Sequence, residues 1–192
     1  MGFRNESSSF FILSSFVFQS IQSLFVHITP SIQNTTRNDT SSKTTPITGI
    51  FTAQIRGLDF KNIESGILGL GAIDPYFELS KLYKGSGDTR WHLVYRSEHI
   101  HNIINPYWDA FQLDLDKLCH GDVKKELKIA VFDYEKKSSD RYLGEVEVSV
   151  DELMKSVTKG GNACREFALR VLDKKEEVVG LLVVLKAEVS SF

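Results

Sequence analysis

The feature that most constrains the fold is a series of short, strand-like segments that follow one another from residue 50 onward. In one of them Leu127, Ile129 and Val131 alternate with residues that would face the other way, as in a sheet strand. Turn-forming residues separate the segments, which is typical of an all-β, eight-stranded antiparallel β-sandwich. The predicted strands cover residues 50–56, 76–82, 92–97, 108–113, 126–133, 143–149, 165–171 and 179–189. A short helix is predicted over 151–157, with Asp151 as its cap.

The chain divides near residue 48, where the composition changes. Residues 1–48 are rich in Ser, Thr and Asn, and residues 33–45 show no apolar periodicity, which predicts a disordered linker. Apolar residues recur at steps of three and four over 10–28, which predicts an amphipathic or hydrophobic helix. We therefore predict a mostly disordered N-terminal extension over 1–48 and one domain over 49–190.

Three interpretations of the predicted helix over 10–28 remain open. As a signal peptide it lacks a clear small-residue cleavage site, and as a transmembrane span it is interrupted by Ser and Gln. As an interfacial helix it lacks Lys and Arg on its polar face. We expect a cytoplasmic domain that is peripheral at the plasma membrane, with a secretory or anchored form as the alternative.

Charge and motifs exclude several function classes. The net charge of −2 and the pI near 6.2 provide no basic field, so we expect no nucleic-acid partner. The sequence contains no nucleophile elbow, zinc-protease motif or phosphate loop, so we do not expect an enzyme. His99 and His101, which would share one face if they lay on a strand, have no third ligand nearby in the sequence and are interpreted as a surface pair.

Four short motifs indicate the family. They occur in the order Asp74-Pro75-Tyr76, Asn105-Pro106-Tyr107-Trp108, Asp133-Tyr134-Glu135 and Tyr142-Leu143-Gly144-Glu145. Together with their spacing they resemble a C2 domain, and in particular the second C2 domain of the copines, which are phospholipid-binding proteins. The resemblance covers about residues 50–189. Because the first visible strand precedes the first loop, we predict the type II topology, in which the last strand closes the sheet.

The resemblance implies a calcium site, because carboxylates of two loops hold the ion in this family. Carried over by position, the candidate ligands are Asp74, Asp133, Glu135, Asp140 and Asn62. Glu135 and Asn62 stand where Asp is expected, and Arg141 occupies the last acidic position, beside Asp140. A cation there opposes Ca²⁺ by about 4 kcal/mol at 4 Å and an effective dielectric of 20. We therefore predict weak calcium binding or none.

The same loops suggest a membrane contact that does not require calcium. The candidate membrane-binding residues are Ile67, Leu68 and Leu70 on the first loop and Lys136, Lys137 and Arg141 on the third. Each basic residue near an anionic bilayer contributes about 1 kcal/mol. We predict a peripheral module for anionic phospholipid membranes. The alternatives are that the apolar loop folds back onto the sandwich, or that the domain binds a protein partner instead of lipid.

A second basic group is predicted on neighbouring strands. It consists of Lys81, Lys84, Arg90 and Arg96. The resemblance suggests that these side chains form a concave basic patch of the kind that some C2 domains use for phosphoinositides. The sequence alone does not decide between such a patch and four separately solvated charges.

Overall fold

The computed structural model describes residues 46–62, 72–85, 87–158 and 163–191. The predicted helix over 10–28 and the linker over 33–45 lie outside these residues, as do Ile67, Leu68 and Leu70. The strands are β1 (Ile50–Leu58), β2 (Pro75–Gly85), β3 (Asp88–Arg96), β4 (Phe111–Asp114), β5 (Leu127–Asp133), β6 (Arg141–Val148), β7 (Leu169–Leu172) and β8 (Val178–Ser190). The helices are α1 (Leu115–Cys119), α2 (Val150–Lys155) and α3 (Ala163–Glu166).

The strands form an all-β antiparallel fold, as predicted. Their order is β3-β2-β5-β6-β7-β8-β1-β4. This order consists of two four-stranded halves, and in the part of the chain that the structure describes, strand pairing joins them only where Glu145 of β6 pairs with Leu172 of β7. The last strand, β8, lies between β7 and β1, which is the arrangement that the type II prediction requires.

The apolar faces of the two halves form one core. Trp108 is fully buried, and its Nε1 donates to the carbonyl oxygen of Pro75 at 3.2 Å. Its ring packs edge-on against Phe77 with the centroids 5.0 Å apart, and such aromatic pairs add to the stabilisation from burial. Other fully buried side chains are Phe51, Ile55, Phe60, Leu79, Leu115, Leu118, Leu127, Ile129 and Leu153.

Two local predictions were wrong, and one helix was not predicted. The strand predicted over 165–171 starts at Leu169, because residues 163–166 form α3. The cap of α2 is Ser149 rather than Asp151, since its hydroxyl accepts the N–H of Glu152 while that glutamate contacts the N–H of Ser149. Helix α1 was not predicted, although Asp114 caps it.

The topology brings several loops to one end of the sandwich. We call this end the rim; its described residues are 59–62, 72–74, 97–110, 134–140 and 173–177. Backbone hydrogen bonds join these loops: Ile103 donates to Ile73 at 2.9 Å, and Gly57 donates to Pro106 at 2.9 Å. The opposite end, which we call the basal end, contains α1 and residues 120–126.

Candidate functional site

Asp74 and Asp133 meet at the rim, as the sequence predicted. Asp133 is the last residue of β5 and lies opposite Pro75, the first residue of β2. The backbone N–H of Asp74 donates to Oδ1 of Asp133 at 2.7 Å, and the N–H of Tyr134 donates to the carbonyl oxygen of Asp74 at 3.0 Å. The start of one rim loop is thereby tied to the end of the other.

Arg141 lies inside this acidic group. As the first residue of β6 it is in register with Asp133, and its guanidinium contacts Oδ2 of Asp133 at 2.5 Å. The side chain of Asp133 is only 3% exposed and that of Arg141 is 33% exposed. Both carboxylate oxygens of Asp133 therefore accept hydrogen bonds from protein donors, one from a backbone N–H and one from a guanidinium.

The Asp74 carboxylate connects a third loop to the first two. Its Oδ1 accepts the N–H of Asn102 at 2.7 Å, and its Oδ2 lies 2.8 Å from Nδ1 of His101. The Asn102 side chain in turn accepts the N–H of Ala72 at 2.8 Å. Burial raises the pKa of Asp74, but the Asn102 hydrogen bond and the nearby histidines outweigh burial, so the pKa lies below its usual value.

Asp140 holds the loop between β5 and β6 in the same way. Its Oδ1 accepts the N–H of Glu135 at 3.0 Å, and its Oδ2 accepts the hydroxyl of Tyr76 at 2.7 Å. The Tyr76 ring is buried and stacks on Phe132 at 5.3 Å. The Glu135 hydrogen bond, followed by that of Tyr76, lowers the pKa of Asp140.

The rim carboxylates are already engaged by protein donors, which opposes tight calcium binding. Ca²⁺ requires about six to eight oxygen ligands, whereas the carboxylates of Asp74, Asp133 and Asp140 already accept protein donors. Calcium would have to displace Arg141 from Asp133. Among the described residues, no group of three or more His, Cys, Asp or Glu side chains is placed to hold a metal ion. Two further candidate calcium ligands remain, Glu135 and Asn62. Asn62 is exposed and is the last residue of the described range 46–62.

Comparisons with known proteins identify the family. A family model described as the C2 domain matches residues 52–169. This chain belongs to the C2 domain family. One similar solved structure, named BON1-C2B, has a TM-score of 0.57 and 20% identity and covers 74% of this chain and 92% of its own. A C2 domain of a plant extended synaptotagmin 1 has a TM-score of 0.51 and 16% identity and covers 78% and 98%. At these identities the two structures show the fold alone.

Lys136 and Lys137 lie at the exposed tip of the C2 domain's loop 134–140. The base of this loop is fixed by the contacts of Asp140 and Arg141, so the two lysines project from an anchored loop. They are separate from Arg141, which the sequence grouped with them but which contacts Asp133. No helix within the described ranges is long and apolar enough to cross a bilayer.

Two histidines join the rim although the sequence analysis had set them aside. Both lie in the loop that follows β3, which ends at Arg96, one residue before the end of the predicted strand. His99 stacks on Tyr134 with the ring centroids 4.2 Å apart, and His101 contacts Asp74. Only their position after a predicted strand could have indicated the rim, and the sequence does not show which loop would face them.

The structure divides the second basic group between the two ends of the C2 domain. Arg96 lies opposite Glu78 and pairs with it, whereas Lys84 lies opposite Thr89, six residues farther along β2. Six residues of a strand span about 20 Å, so these cations do not form one patch. The Lys81 ammonium donates instead to the backbone of α1, at the basal end.

Proposed function

We propose that this C2 domain is a non-catalytic module that binds anionic phospholipid membranes through its rim and does not require calcium to do so. C2 domains bind phospholipid membranes or proteins, and the membrane alternative is favoured by the rim. The observation that carries the proposal is the contrast between the Asp133–Arg141 pair, which is largely buried, and Lys136 and Lys137, which are exposed.

The bracing of the rim supports independence from calcium. A bound cation would neutralise the acidic side chains and hold the loops together, and the chain supplies both effects itself. Arg141 neutralises Asp133, while Asp74 and Asp140 join their loops through hydrogen bonds. The loops are therefore already held in position before the domain contacts a membrane. Their loss of conformational entropy on binding is then smaller.

Electrostatics supports an anionic membrane as the partner. Two exposed lysines at about 1 kcal/mol each would strengthen binding about thirtyfold on an anionic surface. The cytoplasmic leaflet of the plasma membrane has such a surface, so we propose peripheral binding there. We also propose weak residual calcium binding and a likeness to the copines. In the same proposal, Ile67, Leu68 and Leu70 are apolar residues that enter the lipid interface.

Co-sedimentation with vesicles tests the proposed function. The full chain is mixed with phosphatidylcholine vesicles that contain or lack phosphatidylserine, with either chelator or calcium present. We expect pelleting with phosphatidylserine in chelator, with less than a twofold change on adding calcium. The double variant K136E/K137E should reduce the affinity at least about thirtyfold, because it replaces two attractive charges with repulsive ones.

The matched control is K124E/K125E, which makes the same charge change at the basal end. It should reduce the affinity less than about threefold, because charges farther than a Debye length of about 10 Å from the bilayer are largely screened. Failure of the unaltered chain to pellet in every condition would refute the proposal and favour the protein-binding alternative. Equal losses in the two double variants would show that net charge, rather than the rim, is responsible.

A further inference from the structure

A cleft opens at the rim where the two halves of the sandwich separate. Within the described residues, β6 and β7 pair only at Glu145 and Leu172. Gly144 permits this close approach, since a Cβ there would lie 2.6 Å from the Leu172 carbonyl oxygen. β7 ends at Leu172, and toward the rim a cleft of about 510 Å³ lies among β6, the turn 173–177 and β8. Its charged and aromatic lining consists of Lys61, Tyr142, Asp173, Lys174, Lys175 and Glu177.

The charges of this cleft favour an anion. Asp173 is engaged within its own turn, where its carboxylate accepts the N–H groups of Lys175 at 2.8 Å and Glu177 at 3.0 Å. Glu177 lies 3.5 Å from Lys61, and both side chains are more than half exposed, so this pair is weak and an incoming anion can replace the glutamate. Lys61, Lys174 and Lys175 then line one cleft that has room for a phosphate group.

Two contacts shape the cleft. The ammonium of Lys174 lies 5.6 Å from the ring centroid of Tyr142, and this cation–π contact holds it over one wall. The backbone N–H of Lys61 donates to the carbonyl oxygen of Val179 at 2.8 Å, which fixes the backbone of Lys61 to β8. Lysines held on different elements around one cleft can both contact a phosphate group, as compact ammonium groups do in phosphate sites.

We infer that this cleft binds the terminal phosphate of a phosphomonoester lipid headgroup. The inference rests on the proposed function, because the cleft opens at the same end as Lys136 and Lys137. A phosphomonoester carries about −1.5 to −2 charges at pH 7, so two or three lysines bind it more strongly than the single net negative charge of phosphatidylserine. The cleft cannot be predicted from the sequence, because residues 61, 142 and 174 are far apart along the chain.

Vesicle binding in chelator tests the inference. Affinities for phosphatidic acid vesicles and phosphatidylserine vesicles are measured with the full chain at matched surface charge. We expect the unaltered chain to prefer phosphatidic acid at least about fivefold, the contribution of one lysine near the phosphate. K174E/K175E should abolish this preference while phosphatidylserine pelleting persists. E177Q, which removes the competing carboxylate, should increase the preference.

Several outcomes would overturn the inference. The first is that the unaltered chain does not prefer phosphatidic acid. The second is that K174E/K175E keeps this preference to the same extent as the control variant K124E/K125E. Abolition of the preference by millimolar inorganic phosphate would assign the cleft to the free anion rather than to lipid. The proposed function fails separately, if phosphatidylserine vesicles do not pellet. A gain in E177Q cannot arise from misfolding, so this variant keeps the test decisive if the lysine variant unfolds.

Discussion

The rim and the basal end carry similar charged side chains but hold them differently. At the basal end, Lys81 and Lys84 line a cleft of about 330 Å³ with His120 and Lys125. Their contacts are single and exposed: Lys84 and Glu126 pair at 3.4 Å with side chains 68% and 59% exposed. At the rim, Asp133 is buried, and its contacts with Asp74 and Arg141 form a network that spans three loops.

This difference shows that the candidate site differs from the basal end in how its charged side chains are joined by hydrogen bonds, more than in how many charges it has. An exposed pair contributes at most about 1 kcal/mol and orders nothing beyond itself. A buried carboxylate with two protein donors fixes the backbone segments that supply those donors, and its loss leaves a partly buried cation without its counter-charge. The rim network therefore fixes the positions of the loops. The charged side chains at the basal end lie on a surface whose backbone is held by other contacts.

The largest effect should come from removing the buried charge at the rim. D133N is expected to lower the free energy of unfolding by about 2–3 kcal/mol, because Arg141 would keep its charge beside a neutral amide. Urea denaturation followed by circular dichroism measures this change. The basal counterpart, E126Q, should lower it by less than about 0.5 kcal/mol. Equal losses at the two ends would contradict the distinction drawn between them.

A smaller effect is expected when the rim regains an acidic residue. R141D removes the cation and adds a carboxylate, so calcium should bind with a dissociation constant on the order of 10⁻⁴ M. Calcium at about 1 mM would then raise the free energy of unfolding by about 1.4 kcal/mol relative to chelator. The increase for the unaltered chain should be less than about 0.4 kcal/mol. R141Q, which removes the cation alone, is the control; a gain as large as that of R141D would show that the added acid is irrelevant.

The smallest effect concerns acid stability. The pKa values of Asp74 and Asp140 are lowered in the folded state, so the unfolded chain binds more protons in acid. Their stabilisation is complete above about pH 5 and is lost as pH falls through the folded pKa values. D140N should therefore lose less stability than the unaltered chain between pH 5 and pH 3, as thermal unfolding at each pH would show. S138A, on the same loop, should show the same dependence of stability on pH as the unaltered chain. If D140N also matched the unaltered chain, Asp140 would not contribute to the loss of stability in acid.

Much of the fold could be predicted from the sequence because its signals are local. Alternation in residues 127–131 reflects the strand period, and Trp108 after a Pro turn indicated a core residue that is indeed fully buried. Predictions failed where a local pattern was ambiguous. Residues 163–166 form a helical turn within a segment predicted as strand, and α1 is too short for a helical period to be recognised.

The candidate site was predicted only in part. The sequence placed Asp74 and Asp133 at neighbouring strand ends and Arg141 among the acids, and register brings all three together. The roles of His101 and Asn102 required the structure, because they reach Asp74 from a loop whose path depends on packing. The question whether the second basic group forms one patch, which the sequence left open, also needed the structure, since strand register separates Arg96 from Lys84.

The sequence alone indicates the sandwich and favours the type II strand order, because side-chain period and turn residues are properties of neighbouring residues. The resemblance to C2 domains adds a cation, Arg141, at an acidic position of the rim. The protein donors that engage the acids, and the cleft lined by Lys61 and Lys174, are visible only in the folded chain. These features join residues distant in the chain, which strand pairing and loop packing bring together.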